Sequence, residues 1–164
     1  MSVTQKLEGQ ALLRAAAIFL ICLLLYLTGL RYVGSGDTQP SELLPISILQ
    51  EHNLDLNEFR RDGQNSYYLI EHQGEYYSAY SPVAGLLNTM TFAAASLGGV
   101  NLHKNRKHLS LITSAVLAAG AVAFLFLILE ELGVRPRWAL SGTIMFAMGT
   151  TIWSVASRGL WQHG

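Results

Sequence analysis

The sequence predicts an all-α membrane protein, a transmembrane helix bundle that carries one structured extramembrane loop. Hydrophobic residues make up 51% of the 164-residue chain and charged residues only 13%, a balance that soluble domains rarely show. The apolar residues are also concentrated in long uncharged runs. A polar segment from Arg31 to Tyr80 separates the first run from the others.

Two of the uncharged runs are long enough to cross a bilayer. They extend from Ala15 to Leu30 and from Leu109 to Leu129. At about 1.5 Å per residue, such helices cover most or all of a hydrocarbon core about 30 Å thick. The small-residue cleavage site of a signal peptide does not follow the first run. We therefore expect transmembrane helices at residues 12–31 and 109–132.

Two further apolar stretches are less uniform. Residues 83–100 include Asn88, hydroxyl side chains and several glycines within a length that barely suffices to span. This stretch could cross the bilayer, lie at the interface or re-enter. Residues 138–156 carry Trp138 at the start and Trp153 near the end. Because tryptophan favours membrane–water interfaces, we expect a transmembrane helix there.

The polar segment at residues 32–82 is long for a simple connection, and we expect it to fold. Asp37 or Thr38 can cap a helix that has Pro40 in an early position. The apolar residues at positions 43–49 suit a short helix lying along the membrane surface.

A β-hairpin is expected in the second half of the same loop. Ser66–Ile70 and Glu75–Tyr80 are aromatic runs with high strand propensity. The segment His72-Gln73-Gly74 between them is typical of a tight turn.

Composition argues against two classes of site. The formal net charge is zero at pH 7, which gives no indication of nucleic-acid binding. Cys22 is the single cysteine and lies in the first apolar run, where it faces lipid or fills packing space. His103 and His108 are the closest histidine pair, but their spacing puts them on different helix faces. We therefore expect no metal site there.

Two arguments about orientation disagree. If all four stretches cross, the basic loop at residues 103–108 is cytoplasmic; this is the four-span interpretation. If residues 83–100 do not cross, that loop is outside, which is the three-span interpretation. The inside Lys and Arg residues are Lys6, Arg14, Lys104, Arg106, Lys107 and Arg158 in the first case, and Lys6, Arg14, Arg135 and Arg137 in the second. The positive-inside rule alone favours four spans.

Asp37 is the most suggestive residue for chemistry. It lies a few residues beyond the first apolar helix, and its simplest role is that of a helix N-cap. A lipid-linked substrate, however, carries its phosphate at the level of the headgroups. A catalytic base that acts on such a substrate must stand just above the membrane surface, and Asp37 is one of few acids that meet this condition.

Several short motifs occur in a recognisable order. The first helix is followed by Gly36-Asp37-Thr38-Gln39-Pro40 and a Leu43-Leu44-Pro45 helix, then by the hairpin ending in Tyr80-Ser81-Pro82, and finally by helices leading to WSVASRGLWQHG at residues 153–164. This order resembles the N-terminal part of the GT-C glycosyltransferases, including the protein O-mannosyltransferases and the bacterial aminoarabinose transferase of lipid A. The resemblance covers essentially the whole chain. It implies a multi-pass enzyme of the bacterial inner membrane with an essential acid in its first extracytoplasmic loop.

Carried over to this chain, Asp37 matches the first-loop acid, and Ser81-Pro82 matches the turn that opens a juxtamembrane helix. Many relatives have a second acid where this sequence has Thr38, which argues against a metal bound by an acidic pair. The sequence does not decide whether a divalent metal takes part. The family arrangement makes residues 83–100 a non-spanning, juxtamembrane or re-entrant helix and places residues 158–164 outside. We therefore adopt the three-span interpretation.

The resemblance also implies a mechanism and a set of substrate-binding candidates. Asp37 would accept or orient the proton of the acceptor hydroxyl while the polyprenyl phosphate leaves. A departing phosphate needs positive partners. The substrate-binding candidates are Arg158, Arg60, Arg61, His163 and Tyr80. Arg158 could instead anchor at the interface, His163 could be structural, and the hairpin tyrosines could rest on the bilayer rather than stack on sugar.

The predicted function is transfer of a sugar from a polyprenyl-phosphate donor to an acceptor on the extracytoplasmic side. The chain would be an N-terminal fragment of one GT-C-like domain and inactive alone, because absent helices complete the family's site. The first alternative is a non-enzymatic scaffold or assembly subunit that packs helices through Ala118-Ala119-Gly120-Ala121. The second is a transporter or channel fragment, which is disfavoured because the uncharged runs contain no buried charge.

Overall fold

A computed structural model describes residues 3–29, 31–60 and 67–160, with side chains from residue 9 onward. The described chain is mostly helical and contains one two-stranded sheet. It forms two compact units. The first unit comprises Met1–Arg31 and Ser114–Arg158, and the second comprises Tyr32–Thr113 and Gly159–Gly164.

The regular elements follow the predicted order. In chain order they are α1 (Val3–Thr28), α2 (Gln39–Gln50), β1 (Leu69–His72), β2 (Glu75–Ser78), α3 (Val83–Leu97), α4 (Leu102–Glu131), α5 (Pro136–Gly149) and α6 (Thr151–Ser154), with single 3₁₀ turns at Gly36–Thr38, Asn57–Phe59 and Ala156–Arg158. The helical class and the hairpin predicted from the sequence are confirmed.

Two of the described helices are long and apolar enough to cross a membrane, in keeping with a membrane protein. These are α1 over Gly9–Thr28 and α4 (Leu102–Glu131), whose most apolar stretches of 18 residues have mean hydropathies of 2.3 and 2.5. The first helix ends at Thr28, three residues before the predicted end at residue 31. A third span exists only if α5 and the following segment to Arg158 cross as one bent pair.

The basic segment at residues 103–108, expected to be a loop, instead forms the first turns of α4. The side chain of Asn101 accepts a hydrogen bond from the backbone N–H of Lys104 at 2.9 Å. This is the geometry of a helix N-cap, and it satisfies a donor that would otherwise have no partner within the helix. The helix therefore starts before the apolar run that predicted it.

The stretch at residues 138–156, expected to be one transmembrane helix, is broken in the structure into two helical segments that are together apolar enough for one bent span. The axes of Pro136–Gly149 and Thr151–Arg158 meet at 42°. Thr150 has extended backbone angles, and its hydroxyl accepts from the N–H of Ile152 and donates to the carbonyl of Phe146. Gly149 has a low helix propensity, which weakens the end of α5. Thr150 then caps the start of α6, so the break falls between these two residues.

One core cluster of the first unit combines the buried Tyr26 with small residues. Tyr26 is buried, and its hydroxyl donates to the backbone carbonyl of Ala147 at 3.1 Å. Cys22 and Ala115, Ala118, Ala119 and Val122 of α4 belong to the same cluster. Cys22 is therefore packing filler rather than a lipid-facing residue. The small face of α4 allows close approach of α1, the usual basis of helix packing in membranes.

In the second unit, α2 is a core helix. Its residues Pro40 to Ser47 are all buried, whereas a helix lying on a membrane surface keeps one polar face in water. The expected surface helix is therefore not what the structure shows. Gly85 of α3 lies directly against the side chain of Leu44, and this close contact holds α3 on α2.

Helix α3 is too short to span, at 15 residues, and begins after Pro82 as expected. Its inner face is buried through Gly85, Asn88 and Phe92. Its outer face is an exposed apolar stripe made of Val83, Leu86, Leu87, Met90 and Leu97. The exposed fractions of Met90 and Leu97 reach 78% and 92%, so the described part of the chain leaves this face uncovered.

The hairpin pairs β1 and β2 in antiparallel register, from Leu69 opposite Ser78 to His72 opposite Glu75. Its two-residue turn is Gln73-Gly74, with φ angles of 53° and 87°. Positive φ at both central positions is the type I′ geometry that matches strand twist. The turn therefore sets the register that brings the hairpin tyrosines to the rest of the loop.

Candidate functional site

Asp37 lies in the middle of the 3₁₀ turn Gly36–Thr38, not at the start of α2. Ser35 caps this turn by accepting from the N–H of Asp37 at 3.2 Å, and the Thr38 hydroxyl bonds back to the Ser35 backbone. The N-cap position of α2 belongs to Thr38, whose side chain makes no capping bond to that helix. The capping role considered for Asp37 is therefore wrong, and its carboxylate is available for other partners.

The partners of the Asp37 carboxylate are two tyrosines of the hairpin region. The hydroxyl of Tyr80 donates to Oδ1 of Asp37 at 2.8 Å, and the hydroxyl of Tyr67 is hydrogen-bonded to the same carboxylate. These bonds raise the pKa of both phenols, because ionisation would remove the donated proton and put a second negative charge beside Asp37. Asp37 is half-buried and is held in one orientation.

Gly36 makes the approach of Tyr67 feasible. A Cβ atom at position 36 would collide with the hydroxyl and ring of Tyr67. A residue with any side chain there would push the ring away from Asp37. Tyr80 was among the sequence candidates, whereas Tyr67 was not. The only signal for Tyr67 was its place in an aromatic strand run, which also fits a position on the bilayer interface.

A second acid, Glu42, lies one helical turn after Thr38 and was missed by the sequence analysis. Its side chain is 2% exposed. Tyr32 donates to Oε1, and Nε of Arg106 lies 3.3 Å from Oε2. Thr38 joins this group through a 2.8 Å hydrogen bond between its hydroxyl and that of Tyr32. The turn thus places Asp37 toward the hairpin and Thr38 toward a buried polar cluster.

Burial dominates the electrostatics of this cluster. It raises the pKa of Glu42, and the bond from Tyr32 and the charge of Arg106 oppose that rise. The pKa of Tyr32 is also raised, first by burial and then by the neighbouring Glu42. The one feature of the sequence that could have indicated a buried Glu42 is that it is a carboxylate within an otherwise uncharged run at residues 40–49. Its partner lies 64 positions away along the chain (106 − 42), where no local pattern points to it.

Polar contacts continue through the interior of the second unit. The amide Nδ2 of Asn88 donates to the carbonyl of Ser41 at 2.8 Å and contacts Oγ of Ser110 at 3.3 Å. Thr113 donates to Thr91 at 2.8 Å. These bonds join α2, α3 and the first turns of α4. The three helices of the second unit are therefore held together by hydrogen bonds as well as by apolar contacts.

Two of the arginine candidates contact aromatic rings. The guanidinium of Arg60 lies 4.5 Å from the ring centroid of Tyr76. That of Arg158 lies 5.4 Å from the ring of Trp153, and its Nε donates to the Trp153 carbonyl at 3.3 Å. Arg158 belongs to the first unit and Asp37 to the second. Arg61 and His163 lie outside the described residues.

Metal ligands do not converge in the part of the chain that the structure describes, where no three His, Cys, Asp or Glu side chains are placed to hold an ion. His103 contacts the Gln50 side chain at 3.0 Å. The position after Asp37 is filled by the buried hydroxyl of Thr38. The chemistry available near Asp37 is therefore that of a carboxylate with two phenol donors.

Comparison of the chain with protein-family models, with curated proteins and with solved structures finds no match. The functional conclusion therefore depends on the geometry of the site and on the motif order in the sequence. The central geometric fact is a half-buried carboxylate held by two tyrosines in the segment between α1 and α4.

Proposed function

We propose that this chain carries the first extracytoplasmic loop of a multi-pass glycosyltransferase of the bacterial inner membrane. The enzyme transfers a sugar from a polyprenyl-phosphate donor to an acceptor outside the cytoplasm. The observation that carries the proposal is the placement of Asp37, fixed by Tyr67 and Tyr80 and only nine positions after Thr28, the end of α1 (37 − 28). A group so close in the chain to a candidate span suits a substrate whose phosphate lies among the headgroups.

In the proposed reaction, the oxygen of the acceptor hydroxyl attacks the anomeric carbon of the donor sugar. The bond from that carbon to the phosphate oxygen breaks, and the polyprenyl phosphate leaves with the bonding electrons. The proton of the hydroxyl passes to the carboxylate of Asp37. Tyr67 and Tyr80 donate to Asp37 and so restrain its rotamer in this scheme.

The leaving phosphate requires cationic partners in this scheme. Arg158, Arg60 and Arg61 remain the arginine candidates, and His163 is a candidate for polarising a substrate group. The contact of Arg158 with the Trp153 ring also fits an interfacial anchor, since both residue types favour the headgroup region. Substitution by Lys separates these roles, because Lys anchors as well as Arg but does not form a bidentate phosphate contact.

The α3 helix supports the three-span interpretation by its shape. It is too short to cross, its inner face packs on α2, and its outer stripe is apolar. A helix of this kind lies in the membrane interface with the stripe toward the acyl chains. In this arrangement Asp37 and the start of α4 lie on the same side of the membrane.

The primary test is sugar transfer by membranes that contain the full-length parent enzyme with Asp37→Asn. We expect transfer to fall by about a hundredfold or more, the usual contribution of a general base. Asp55→Asn is the matched control, because Asp55 is an acid of the same loop whose side chain accepts a local backbone bond from Asn57 and bonds no hairpin tyrosine among the described residues. Undiminished transfer by Asp37→Asn at normal expression would remove Asp37 from catalysis.

Sidedness has its own experiment. A cysteine at Asn105 is expected to react with a membrane-impermeant thiol reagent added outside intact cells, while a cysteine at Arg135 reacts only after lysis. Both variants carry Cys22→Ala. The reverse pattern would support the four-span interpretation and place the loop that carries Asp37 apart from the start of α4.

The scaffold alternative depends on the small-residue face of α4, and part of that face is already buried inside the first unit. Ala118 and Ala119 are buried in the same cluster as Cys22 and Tyr26, so the small-residue face already packs α1. A scaffold would keep its assembly function in the Asp37→Asn variant. The glycosyltransferase is therefore the function we favour.

A further inference from the structure

A large cavity of the first unit lies where α4 is joined to α5. Its volume is about 1000 Å³, and α1 supplies one wall while the last turns of α4 and the connection to α5 supply the others. Small-molecule sites have volumes of about 300–1,000 Å³. The cavity is therefore large enough for a ligand of that size, and it belongs to a part of the fold that the proposed reaction does not use.

The cavity contains charges of both signs. Arg14 lies 2.9 Å from Oε1 of Glu130, joining α1 to α4. Glu131 and Arg135 also line the cavity. Two carboxylates and two guanidinium groups thus surround one space, although most of the lining surface is apolar.

A second cavity of about 360 Å³ adjoins the first, sharing Arg14 and Pro136. Arg137 is its other charged residue. The rest of its lining is apolar and consists of Ala17, Ile18, Phe126 and Leu140. An apolar groove that is also lined by two arginines has the polarity of a site for an acyl chain and a phosphate.

The level of these cavities along the helices is that of a membrane surface. Glu130 is the penultimate residue of α4, and Pro136 begins α5. Trp138 is 61% exposed, and the guanidinium of Arg137 lies 5.5 Å from its ring. Exposed tryptophan beside arginine is typical of the headgroup region.

We infer that this pair of cavities is a binding site for a phospholipid whose headgroup carries both a phosphate and a primary ammonium, as in phosphatidylethanolamine. The phosphate lies between Arg14 and Arg137, the ammonium faces Glu130 and Glu131, and one acyl chain occupies the apolar cavity. Each charge of the headgroup then meets its opposite. The proposal is independent of the sugar-transfer function.

The carboxylates favour this headgroup over its alternatives. A lipid whose headgroup carries no cation, such as phosphatidylglycerol, has only hydroxyl groups to place against Glu130 and Glu131. The quaternary ammonium of phosphatidylcholine has no N–H, so it cannot donate hydrogen bonds to the two carboxylates. Charge-assisted hydrogen bonds are the stronger kind, so a primary ammonium is the best fit.

The test is lipid retention by the purified protein, measured by native mass spectrometry after exchange into detergent with one added lipid. The three probes are phosphatidylethanolamine, phosphatidylglycerol and phosphatidylcholine with identical acyl chains. The variants are Glu131→Gln and Arg137→Gln, both exposed, and the control is Lys104→Gln on the second unit. Arg14 is left unchanged because its ion pair also joins two helices.

We expect phosphatidylethanolamine to be retained about fivefold better than the other two lipids, the effect of one exposed ion pair. Glu131→Gln should reduce this preference, Arg137→Gln should weaken retention of both phosphatidylethanolamine and phosphatidylglycerol, and Lys104→Gln should change neither. Equal or better retention of phosphatidylglycerol by the unaltered protein would overturn the proposal. So would unchanged retention in both cavity variants.

Discussion

Glu42 and Arg106 form an ion pair in the second unit, with Nε of Arg106 3.3 Å from Oε2 of Glu42. The side chain of Glu42 is 2% exposed and that of Arg106 is 32% exposed. The ion pair therefore links the buried helix α2 to the partly exposed first turns of α4. Tyr32 donates to the other carboxylate oxygen and contacts Thr38. The residue next to the proposed catalytic acid is thus connected to α4 through Glu42.

Removing Arg106 should destabilise the second unit. Arg106→Gln leaves Glu42 buried without its positive neighbour, and breaking a buried pair in this way costs about 3 kcal/mol. Thermal unfolding in detergent measures the loss. Lys104→Gln, an exposed change two positions away, should leave the midpoint unaltered. Equal midpoints for the two variants would contradict a structural role of the pair.

The stability of the second unit should depend on pH through Glu42. Burial raises the folded-state pKa of this carboxyl above its unfolded value. Its contribution is therefore fully present below the unfolded pKa and is lost as pH rises through the folded pKa. Glu42→Gln should remove this part of the pH dependence while preserving shape. An unchanged pH profile of the unfolding midpoint in Glu42→Gln would show that Glu42 does not titrate as proposed.

The tyrosines that hold Asp37 should titrate abnormally. Hydrogen bonds to Asp37 raise the pKa of Tyr67 and Tyr80, so their contribution to stability is present below the unfolded phenol pKa and is lost at higher pH. Asp37→Asn should lower the pKa of both phenols. Phenolate absorbance measured against pH tests this, with Asp55→Asn as the control. Identical titration curves for Asp37→Asn and the unaltered protein would contradict the contact.

Two glycine substitutions should have opposite effects. At Gly85 an added Cβ would lie 2.7 Å from Cδ2 and 2.9 Å from Cβ of Leu44, so Gly85→Ala should destabilise the α2–α3 contact by about 2 kcal/mol. At Gly120 an added Cβ meets no atom within 4 Å. Gly120→Ala should stabilise α4 by up to about 1 kcal/mol, the difference in helix propensity. The midpoint of thermal unfolding measures both effects. A Gly85→Ala variant that is more stable than the unaltered protein would disprove the close contact with Leu44.

The apolar stripe of α3 should face acyl chains. A spin label at Met90→Cys, in a Cys22→Ala background, is expected to collide more with oxygen, which concentrates in lipid, than with an aqueous nickel chelate. The same label at Glu71→Cys on the exposed hairpin strand should show the opposite preference. If Met90 is as accessible to the chelate as Glu71, α3 does not lie in the interface.

Local properties of the chain predicted much of this fold. The uncharged runs predicted α1 and α4, because length and hydropathy are sufficient to identify a candidate span. The turn at Gln73-Gly74 predicted the hairpin, because φ and residue type are local quantities. Pro82 and Asn101 also act locally, and they mark where α3 and α4 begin.

Tertiary structure decided the features that join distant residues. Asp37 and Tyr80 are 43 positions apart, and no local pattern indicates that they meet. Glu42 was overlooked because a carboxylate becomes buried only when partners such as Arg106 and Tyr32 arrive from elsewhere in the chain. The periodicity of apolar residues indicates which face of a helix is buried. It does not show that residues on every face of α2, from Pro40 to Ser47, are buried. The sequence by itself determined the helices and the hairpin through backbone and solvent preferences, whereas the surroundings of each acid depend on packing between them.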